Sequence, residues 1–462
     1  MSPSTPSTFL RKVVTAAGTS SAEKLEVNAG EKRKKPDVYQ QDLEENNDGA
    51  SPSKKVKLNN GKEMQTRPPR EDGESRVPKR SMGIVIAYSG TGYHGFAKQV
   101  GQPDVRSIEA LLENILYETG GISESNFGDK KSLQKVGWSR AARTDKGVHA
   151  AMNLISLKVT YEPPRDGDVR NIAEGADEQE YFDYILRRMN EKLPKQMRAF
   201  RMLRVIKKFD ARACCDRRQY EYLFPCSPVV RAVNASQSST VSKDATLVDL
   251  ASQMNELMQN YVGTRNFHNF TNRLNANSKE ASRYMLKIGV KLEEIKRGDE
   301  IVHAFRVTLL GQSFLLHQIR KMVGLAIQEM CGSARPGSIA EALSTKEKRA
   351  VPKVPAEGLF LDRLFFDAYN KYKVKPGQTV SLEPDEKLHE ELEAFKAEVI
   401  WPEIADHLAK PASENVWWEY VDHIITYPYT EYGLDPTKMY PGREAENPTT
   451  DAGETENQVM AE

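Results

Sequence analysis

Two patterns of apolar residues alternate along the middle of this chain, and together they restrict it to folds that combine helices with a β-sheet. Residues 83–88 and 153–159 carry apolar side chains in short runs or at every second position, as strands do. Residues 106–118 repeat them every three or four positions, which predicts a helix. The alternation restarts after a polar stretch at residues 232–243. The patterns also predict strands at 200–207, 219–224, 283–292 and 301–309 and helices at 181–193, 247–262 and 317–331.

These elements predict an α+β fold built from two mixed lobes, at residues 81–231 and 244–373. A chain of 462 residues has room for two to four domains, at about 100–200 residues per domain. Residues 374–440 follow with a helical pattern and with three of the four tryptophans. We expect this C-terminal extension to pack on the core, because tryptophan side chains bury large apolar surfaces.

Both ends of the chain lack the apolar residues that a core needs. Residues 1–80 contain two aromatic residues and seven prolines, and residues 441–462 contain six acidic residues and no aromatic residue. Segments of this composition bury too little apolar surface to offset the entropy of an ordered chain. The sequence therefore predicts a disordered N-terminal tail and a disordered, acidic C-terminal tail.

The net charge of +1 conceals an uneven distribution of charged residues. Residues 81–370 hold 42 basic and 33 acidic residues, whereas residues 371–462 hold 8 basic and 20 acidic residues. Residues 1–80 hold 16 basic and 12 acidic residues. A near-neutral total would argue against a nucleic-acid partner, but the basic middle of the chain can still attract phosphates.

Several classes of protein are disfavoured by composition. No window approaches 18 apolar residues, so the sequence predicts no membrane-spanning helix. The four cysteines show neither CxxC nor Cys/His ligand spacing, which favours reduced thiols and no bound metal.

The predicted N-terminal tail carries two signals that bear on location. Basic clusters at residues 32–35 and 54–57 are of the kind that nuclear import receptors bind, and they predict a nuclear protein. The alternative is a mitochondrial presequence, because the first acidic residue is Glu23 and the preceding residues are rich in serine and threonine.

The densest chemical signal is Ser-Arg-Ala-Ala-Arg-Thr-Asp-Lys-Gly-Val-His-Ala at residues 139–150. It places one carboxylate, Asp145, between Arg143 and Lys146 on a predicted turn. Nearby cations keep a carboxylate ionised in a cleft, where it can act as a nucleophile or an electrostatic stabiliser. The alternative is an Asx-turn that only shapes the loop, and the residues alone leave both interpretations open.

Residues 142–150 resemble the signature of the TruA-like tRNA pseudouridine synthases. Residue 89 is a serine where that family commonly has an aspartate, and we assign it no role. Within the family the chain is most similar to the eukaryotic tRNA pseudouridine synthase 1 group, in its fungal form. Five further blocks resemble the family in the same order along the chain, at 88–96, 209–222, 263–271, 311–324 and 355–361.

This resemblance implies the pseudouridine synthase fold, with a basic cleft between the two lobes, and it implies roles for individual residues. Asp145 matches the catalytic carboxylate and Arg320 the basic residue that pairs with it. Tyr220 matches the aromatic residue that stacks on the target base, with help in removing the C5 proton as a second role. Whether Asp145 attacks C1′ or C6 or removes the 2′ proton stays open. The residues expected to bind the RNA are Arg143, which fills the gap in the base stack, and Thr144, Lys146, His149 and Arg218.

The resemblance also implies an activity and its partners. Pseudouridylation rearranges uridine without oxidation or group transfer, so we expect no cofactor and no metal. The expected substrates are tRNAs, in and near the anticodon stem, with small nuclear RNA and messenger RNA as additional targets. We further expect a nuclear import receptor as partner, no membrane association and a monomer. The alternatives are an RNA-binding or RNA-folding protein that has lost catalysis, and a mitochondrial paralogue with the same chemistry.

Overall fold

The structure is a computed structural model, and it describes residues 77–99, 101–102, 104–128, 131–161, 178–235, 245–297 and 299–426. Except for residues 77–80, the two tails predicted to be disordered lie outside these residues, as do both basic clusters.

The described strands form one mixed sheet. Along the chain they are β1 (Lys79–Tyr88), β2 (Ser139–Arg140), β3 (His149–Thr160), β4 (Met197–Arg204), β5 (Arg217–Pro225), β6 (Gly263–Asn266), β7 (Ser282–Arg297), β8 (Glu300–Gly311) and β9 (Leu359–Phe365). Their order in the sheet is β4-β1-β3-β9-β5-β8-β7-β6, with β2 beside β3. Neighbours are antiparallel except β3 and β9, which pair in parallel over two residues, His149 with Phe360 and Ala150 with Leu361.

Helices connect and cover these strands. They are α1 (Ile108–Glu118), α2 (Ser132–Lys135), α3 (Glu178–Lys192), α4 (Ala211–Cys214), α5 (Cys226–Ala235), α6 (Leu247–Gln259), α7 (Gln318–Met330), α8 (Ser338–Ser344), α9 (Asp367–Tyr372), α10 (Glu386–Phe395), α11 (Trp401–Leu408) and α12 (Val416–Thr426). A π-helical turn, Lys396–Ile400, joins α10 to α11. Within the described ranges, no helix combines the length and the apolar character needed to cross a bilayer.

The predicted elements recur in the structure with small shifts at their ends. Strands β1, β3, β4, β5, β7 and β8 and helices α1, α3, α6 and α7 all overlap predicted segments. Two of the differences from the prediction concern the polar stretch at 232–243 and the centre of the sheet. Helix α5 continues to Ala235, so the polar stretch at 232–243 begins inside a helix. Strand β9 was missed because Asp362 and Arg363 interrupt its apolar run.

The short parallel contact between β3 and β9 brings the two halves of the sheet together. Leu361 of β9 pairs with Ala150 at the start of β3 on one side and with Tyr220 of β5 on the other. The loop that precedes β3, which carries Asp145, is therefore only one strand away from Tyr220. The sheet is continuous, so strands from both predicted lobes contribute to this region.

The helices that follow residue 385 pack on the central strands of the sheet. Trp417 of α12 is buried, and its ring stacks on Phe224 of β5 with the centroids 5.0 Å apart. Lys396 Nζ lies 2.9 Å from Asp362 Oδ1, and both side chains are less than one-tenth exposed. This buried ion pair explains how β9 tolerates an aspartate at the centre of the sheet, since a buried carboxylate needs a partner.

Helix α7 approaches the segment 352–354 so closely that a glycine is required between them. A β-carbon at Gly324 would lie 2.6 Å from the carbonyl oxygen of Pro352. On the same side of the helix, Arg320 Nε donates a hydrogen bond of 2.7 Å to the carbonyl of Val354. Gly324 thus sets the distance between α7 and the segment that holds the Arg320 side chain.

We predict that Gly324→Ala lowers the free energy of unfolding by about 1–3 kcal/mol, because the added methyl group forces packed main chain apart. Urea unfolding followed by circular dichroism measures the change. Gly289→Ala in β7 is the matched control, since nothing lies within 4 Å of its β-carbon position. If Gly324→Ala were as stable as wild type, the segment 352–354 would not be held rigidly against α7.

Candidate active site

Asp145 lies on the loop 141–148, and the turn after β1 holds this loop from behind. The Phe96 N–H donates to the carbonyl of Thr144 (3.0 Å), and the hydroxyls of Thr144 and Tyr88 share a hydrogen bond of 3.0 Å. A β-carbon at Gly90 would lie 2.3 Å from the carbonyl oxygen of Val148, so only glycine allows the turn to contact the loop. Main-chain contacts of this kind fix the position of Asp145 before any substrate binds.

The Asp145 carboxylate is partly buried, with 23% of its side chain exposed. Burial raises its pKa, and the positive charges of Arg320, Lys353 and Arg143, in that order of strength, lower it. These cations come from α7, from the segment before β9 and from the Asp145 loop itself. The site therefore opposes the cost of desolvating the carboxylate with charges from three separate parts of the chain.

His317 faces the same carboxylate from the end of the loop that precedes α7. Its Nε2 lies 3.7 Å from Asp145 Oδ2. Burial and the charges of Lys353, Arg320 and Lys321 lower its pKa to about 3, so the imidazole is neutral near pH 7. Its φ of 63° is the only positive value for a non-glycine residue in the described ranges. Strain of this kind costs about 1–2 kcal/mol and is common at functional sites.

Arg320 lies in the first turn of α7, as the apolar pattern of the sequence predicts. No hydrogen bond joins the described side chains of Arg320 and Asp145, and the two interact through their charges. Its Nε is held instead by the Val354 carbonyl, and its charge is the strongest of those that lower the pKa of Asp145. Cations are disfavoured at a helix N-terminus, so a neighbouring carboxylate offsets this placement.

Tyr220 and Phe314 form an aromatic wall in the same region. Tyr220 is buried in β5, and its ring meets that of Phe314 edge to face with the centroids 5.0 Å apart. Burial raises the pKa of the Tyr220 hydroxyl, and the charge of Asp145 raises it further, so the hydroxyl stays protonated. The tyrosine thus offers an apolar ring and a neutral hydroxyl beside a carboxylate.

Arg218, which was predicted to bind RNA, uses its hydrogen-bond donors within the protein. Only 8% of the residue is exposed, and its five N–H donors make five hydrogen bonds to main-chain carbonyls. The acceptors are Ala141 twice (2.9 and 2.8 Å), Gln312 (2.9 Å), Arg212 (3.2 Å) and Cys215 (3.4 Å). Arg218 therefore connects the Asp145 loop to α4 and to the loop after β8, and no donor is left for a ligand.

The other predicted RNA-binding residues divide into two groups. Arg143 and Lys146 are exposed on either side of Asp145, where a ligand can reach them. Thr144 and His149 are buried, and both hold the turn after β1. The Gly90 N–H donates to His149 Nδ1 (3.2 Å), and burial lowers the pKa of that imidazole to about 4, so it remains neutral. Ser89, to which no role was assigned, lies 3.1 Å from the same nitrogen.

Sequence reasoning assigned no role to three residues that the structure places at the site, namely His317, Lys353 and Phe314. Phe314 and His317 lie within the block 311–324, so their proximity to Arg320 was visible in the sequence, but their contacts with Tyr220 and Asp145 were not. Lys353 precedes the block 355–361 and gave no signal of its own. Within the described residues, no group of three or more His, Cys, Asp or Glu side chains is arranged to hold a metal ion.

Comparisons with known proteins find similarity to one family. A family model described as tRNA pseudouridine synthase matches residues 257–367, which include Arg320 and Lys353 but neither Asp145 nor Tyr220. A Mus musculus protein named "Pseudouridylate synthase 1 homolog" is 34% identical over 368 residues, 79% of this chain and 77% of that protein. The Homo sapiens protein of the same name is 35% identical over 323 residues, 70% and 68% of the two chains. A Candida albicans protein named "tRNA pseudouridine synthase 1" is 29% identical over 442 residues, 76% and 67% of the two chains.

We predict that Arg218→Met lowers the free energy of unfolding by about 3 kcal/mol, because buried acceptors that lose their donors cost roughly 1–3 kcal/mol each. The neighbouring Arg217→Met is the matched control. Arg217 pairs with the exposed Asp367 at the surface, so its loss should cost about 1 kcal/mol or less. Urea unfolding of both variants makes the comparison, and equal losses would show that the five hydrogen bonds of Arg218 are not central to the site.

Proposed function

The chain belongs to the tRNA pseudouridine synthase family and isomerises uridine to pseudouridine in tRNA, and we propose that Asp145 is its catalytic carboxylate. One observation carries the assignment. Asp145 is a partly buried carboxylate, and the positive charges of Arg320, Lys353 and Arg143 favour its ionised form. Its own charge acts on the protonated hydroxyl of Tyr220. Family membership gives the reaction, and this arrangement supplies the groups that the reaction needs.

The reaction is an internal rearrangement of one nucleotide. The N1–C1′ bond of uridine breaks, the base turns, and a C5–C1′ bond forms, while C5 loses a proton and N1 gains one. The number of atoms and electrons is unchanged. The step requires an ionised carboxylate close to the sugar, either to attack C1′ or C6 or to remove the 2′ proton, and Asp145 can serve each of these routes.

The detached base needs a surface to hold it, and we assign this role to Tyr220 supported by Phe314. An aromatic ring next to a carboxylate can stack on the uracil face while the sugar contacts the carboxylate. Because the pKa of the Tyr220 hydroxyl is raised, the phenol is a poor base at neutral pH. We therefore assign stacking to Tyr220 and leave proton removal from C5 to another group.

The target uridine must leave the base stack to reach Asp145, at a cost of a few kcal/mol. Arg143 and Lys146 are exposed beside Asp145, and we propose that Arg143 fills the gap that the flipped base leaves. Arg218, Thr144 and His149 contribute by holding the Asp145 loop, so we propose that they position the catalytic residue and do not touch RNA.

We make further proposals about the RNA-binding cleft, the oligomeric state and additional RNA substrates. We propose that the two predicted lobes form a basic cleft around Asp145, on the strength of the surplus of nine basic residues at 81–370.

We propose a monomer, because the C-terminal extension packs on the central strands. Light scattering that gave twice the mass of one chain would contradict this. Small nuclear RNA and messenger RNA are proposed as further substrates, which pseudouridine mapping of total RNA with and without the protein tests.

We also propose that the basic clusters at 32–35 and 54–57 bind an import receptor and direct the protein to the nucleus. The composition of residues 1–80, which lack core-forming residues, supports the proposal. A fluorescent fusion that lacks residues 1–80 should lose nuclear accumulation. Mitochondrial staining by the full-length fusion would favour the presequence alternative.

The prediction for Asp145 separates catalysis from binding. Asp145→Asn should bind tRNA about as tightly as wild type, because many phosphate contacts share the binding energy, and it should form no pseudouridine. Single-turnover assays and filter binding measure the two properties, with the exposed Asp183→Asn of α3 as control. Residual turnover at about a hundredth of the wild-type rate would contradict the assignment. A wild-type protein that binds tRNA but never modifies it would favour the RNA-folding alternative.

The prediction for Arg320 concerns the pH dependence of the rate. Arg320 lowers the pKa of Asp145, so Arg320→Met should raise that pKa and move the acid limb of the rate profile to higher pH. We expect a loss of at least about 100-fold at pH 7, the size typical for a positioned electrostatic partner. Arg320→Lys should recover part of the rate, because it restores the charge without the planar guanidinium.

Single-turnover rates across pH with saturating tRNA make this measurement. Arg335→Met, which removes a surface arginine paired with Glu341 beyond the end of α7, is the control. If Arg320→Met kept a rate close to wild type at every pH, Lys353 or Arg143, and not Arg320, would be the cation that keeps Asp145 ionised.

A further inference from the structure

Three arginines outside the site described above lie together without the acidic partners that arginines in folded proteins usually have. Arg265 of β6 and Arg283 of β7 are directly opposite each other in the antiparallel pairing of these strands. Side chains at such positions have β-carbons about 4.5–5.5 Å apart, and like charges there are destabilising. Both arginines donate to main-chain carbonyls, Arg265 to that of Asn260 (3.3 Å), but no described carboxylate pairs with either of them to offset the repulsion.

Arg212 of α4 adds a third charge to the pair. Its charge lowers the pKa of Arg283, which places the two guanidinium groups in the same electrostatic neighbourhood. Main-chain hydrogen bonds connect their positions independently. Arg218 donates to the carbonyls of both Arg212 and Gln312, and the Gln312 N–H donates to the carbonyl of Tyr284, the neighbour of Arg283 (3.0 Å). We call Arg212, Arg265 and Arg283 the arginine cluster.

The arginine cluster is not neutralised within the described chain. Among the described residues, no carboxylate forms an ion pair with any of the three side chains, and Glu280 is the one acid whose charge raises the pKa of Arg283. Arg283 donates through Nη1 to the main-chain carbonyls of Glu280 and Ser282, while its Nε is buried and has no hydrogen-bond partner. The cluster thus has a surplus of positive charge and a donor that the protein leaves unused.

The position of the arginine cluster relates it to the active site. Arg283 and Met285 lie on the same face of β7, because side chains two residues apart on a strand point the same way. Met285 is buried, and its sulfur lies 3.7 Å from Gln318 Nε2 at the start of α7. The cluster therefore borders the loop between β8 and α7 that carries Phe314 and His317.

We propose that the arginine cluster is a binding site for a backbone phosphate of the RNA, next to the nucleotide held at Asp145. A phosphate between the guanidinium groups replaces their mutual repulsion with attraction, and arginine binds phosphate through two parallel hydrogen bonds. Arg212 and Arg265 are exposed and can reach a ligand, while the half-buried Arg283 marks the floor of the site. The proposal rests on RNA being the substrate and adds one defined contact to it.

The salt dependence of tRNA binding tests the proposal. Each phosphate contact adds about 0.9 to the slope of log affinity against log salt, so each of Arg283→Gln and Arg265→Gln should reduce the slope by about one. At about 0.1 M salt the affinity should fall roughly eightfold, the change that one such contact gives relative to 1 M salt. Fluorescence anisotropy with a labelled tRNA transcript provides both values.

Arg297→Gln is the matched control, because Arg297 lies on the same strand but pairs with Asp406 (2.7 Å). It should leave the slope unchanged. Melting temperatures provide a second readout. Arg265→Gln relieves the repulsion across the strands, so it should melt at the same temperature as wild type or higher while it binds tRNA more weakly.

An unchanged slope in both cluster variants, or a lower melting temperature with unchanged binding, would overturn the proposal and make the arginines structural. Pseudouridine formation by the wild-type protein on the same transcript is measured in parallel. An inactive wild type would count against the proposed function, whereas an active wild type with unchanged slopes in the variants would count against the phosphate site alone.

Discussion

The guanidinium of Arg218 is the interaction on which the site depends most. Main-chain carbonyls are good acceptors but cannot attract one another, and a buried cation with five donors can join several of them. The segments that it joins are the Asp145 loop, α4, the end of that helix near β5, and the loop after β8. They come from residues 141, 212–215 and 312, and they carry or adjoin Asp145, Arg212, and the loop of Phe314 and His317.

A second constraint is the electrostatic balance at Asp145. A carboxylate buried enough to exclude water becomes harder to ionise, and cations around it restore the charge. Arg320 and Lys353 are drawn from segments that Gly324 keeps in close contact, so the electrostatics depend on the packing of α7. The same cations keep His317 neutral, which leaves a polar but uncharged group against Asp145. Charge, packing and backbone strain are therefore coupled in one small region.

The sequence was informative where local patterns dominate. Most strands and helices could be predicted from the spacing of apolar residues, because each element buries one face. Strand β9 could not, since its central Asp362 is satisfied by Gln219 of β5 and by Lys396 of the π-helical turn, both distant in the sequence. Asp145, Arg320 and Tyr220 were identified through resemblance and lie near one another in the structure. Arg218 was identified by the same resemblance, but its donors turn inward, which no local pattern indicates.

The sequence by itself determined the mixed α/β character of the core, the order of its elements, the basic middle of the chain and the family to which it belongs. It did so because apolar periodicity and short motifs are properties of neighbouring residues. Only the tertiary structure decided which cations support Asp145, that His317 faces it, that Thr144, His149 and Arg218 hold the site together, and that Arg265 and Arg283 lie opposite each other. These relations depend on contacts between residues up to about two hundred positions apart, and they exist only once the sheet has brought β3, β5, β8 and β9 together.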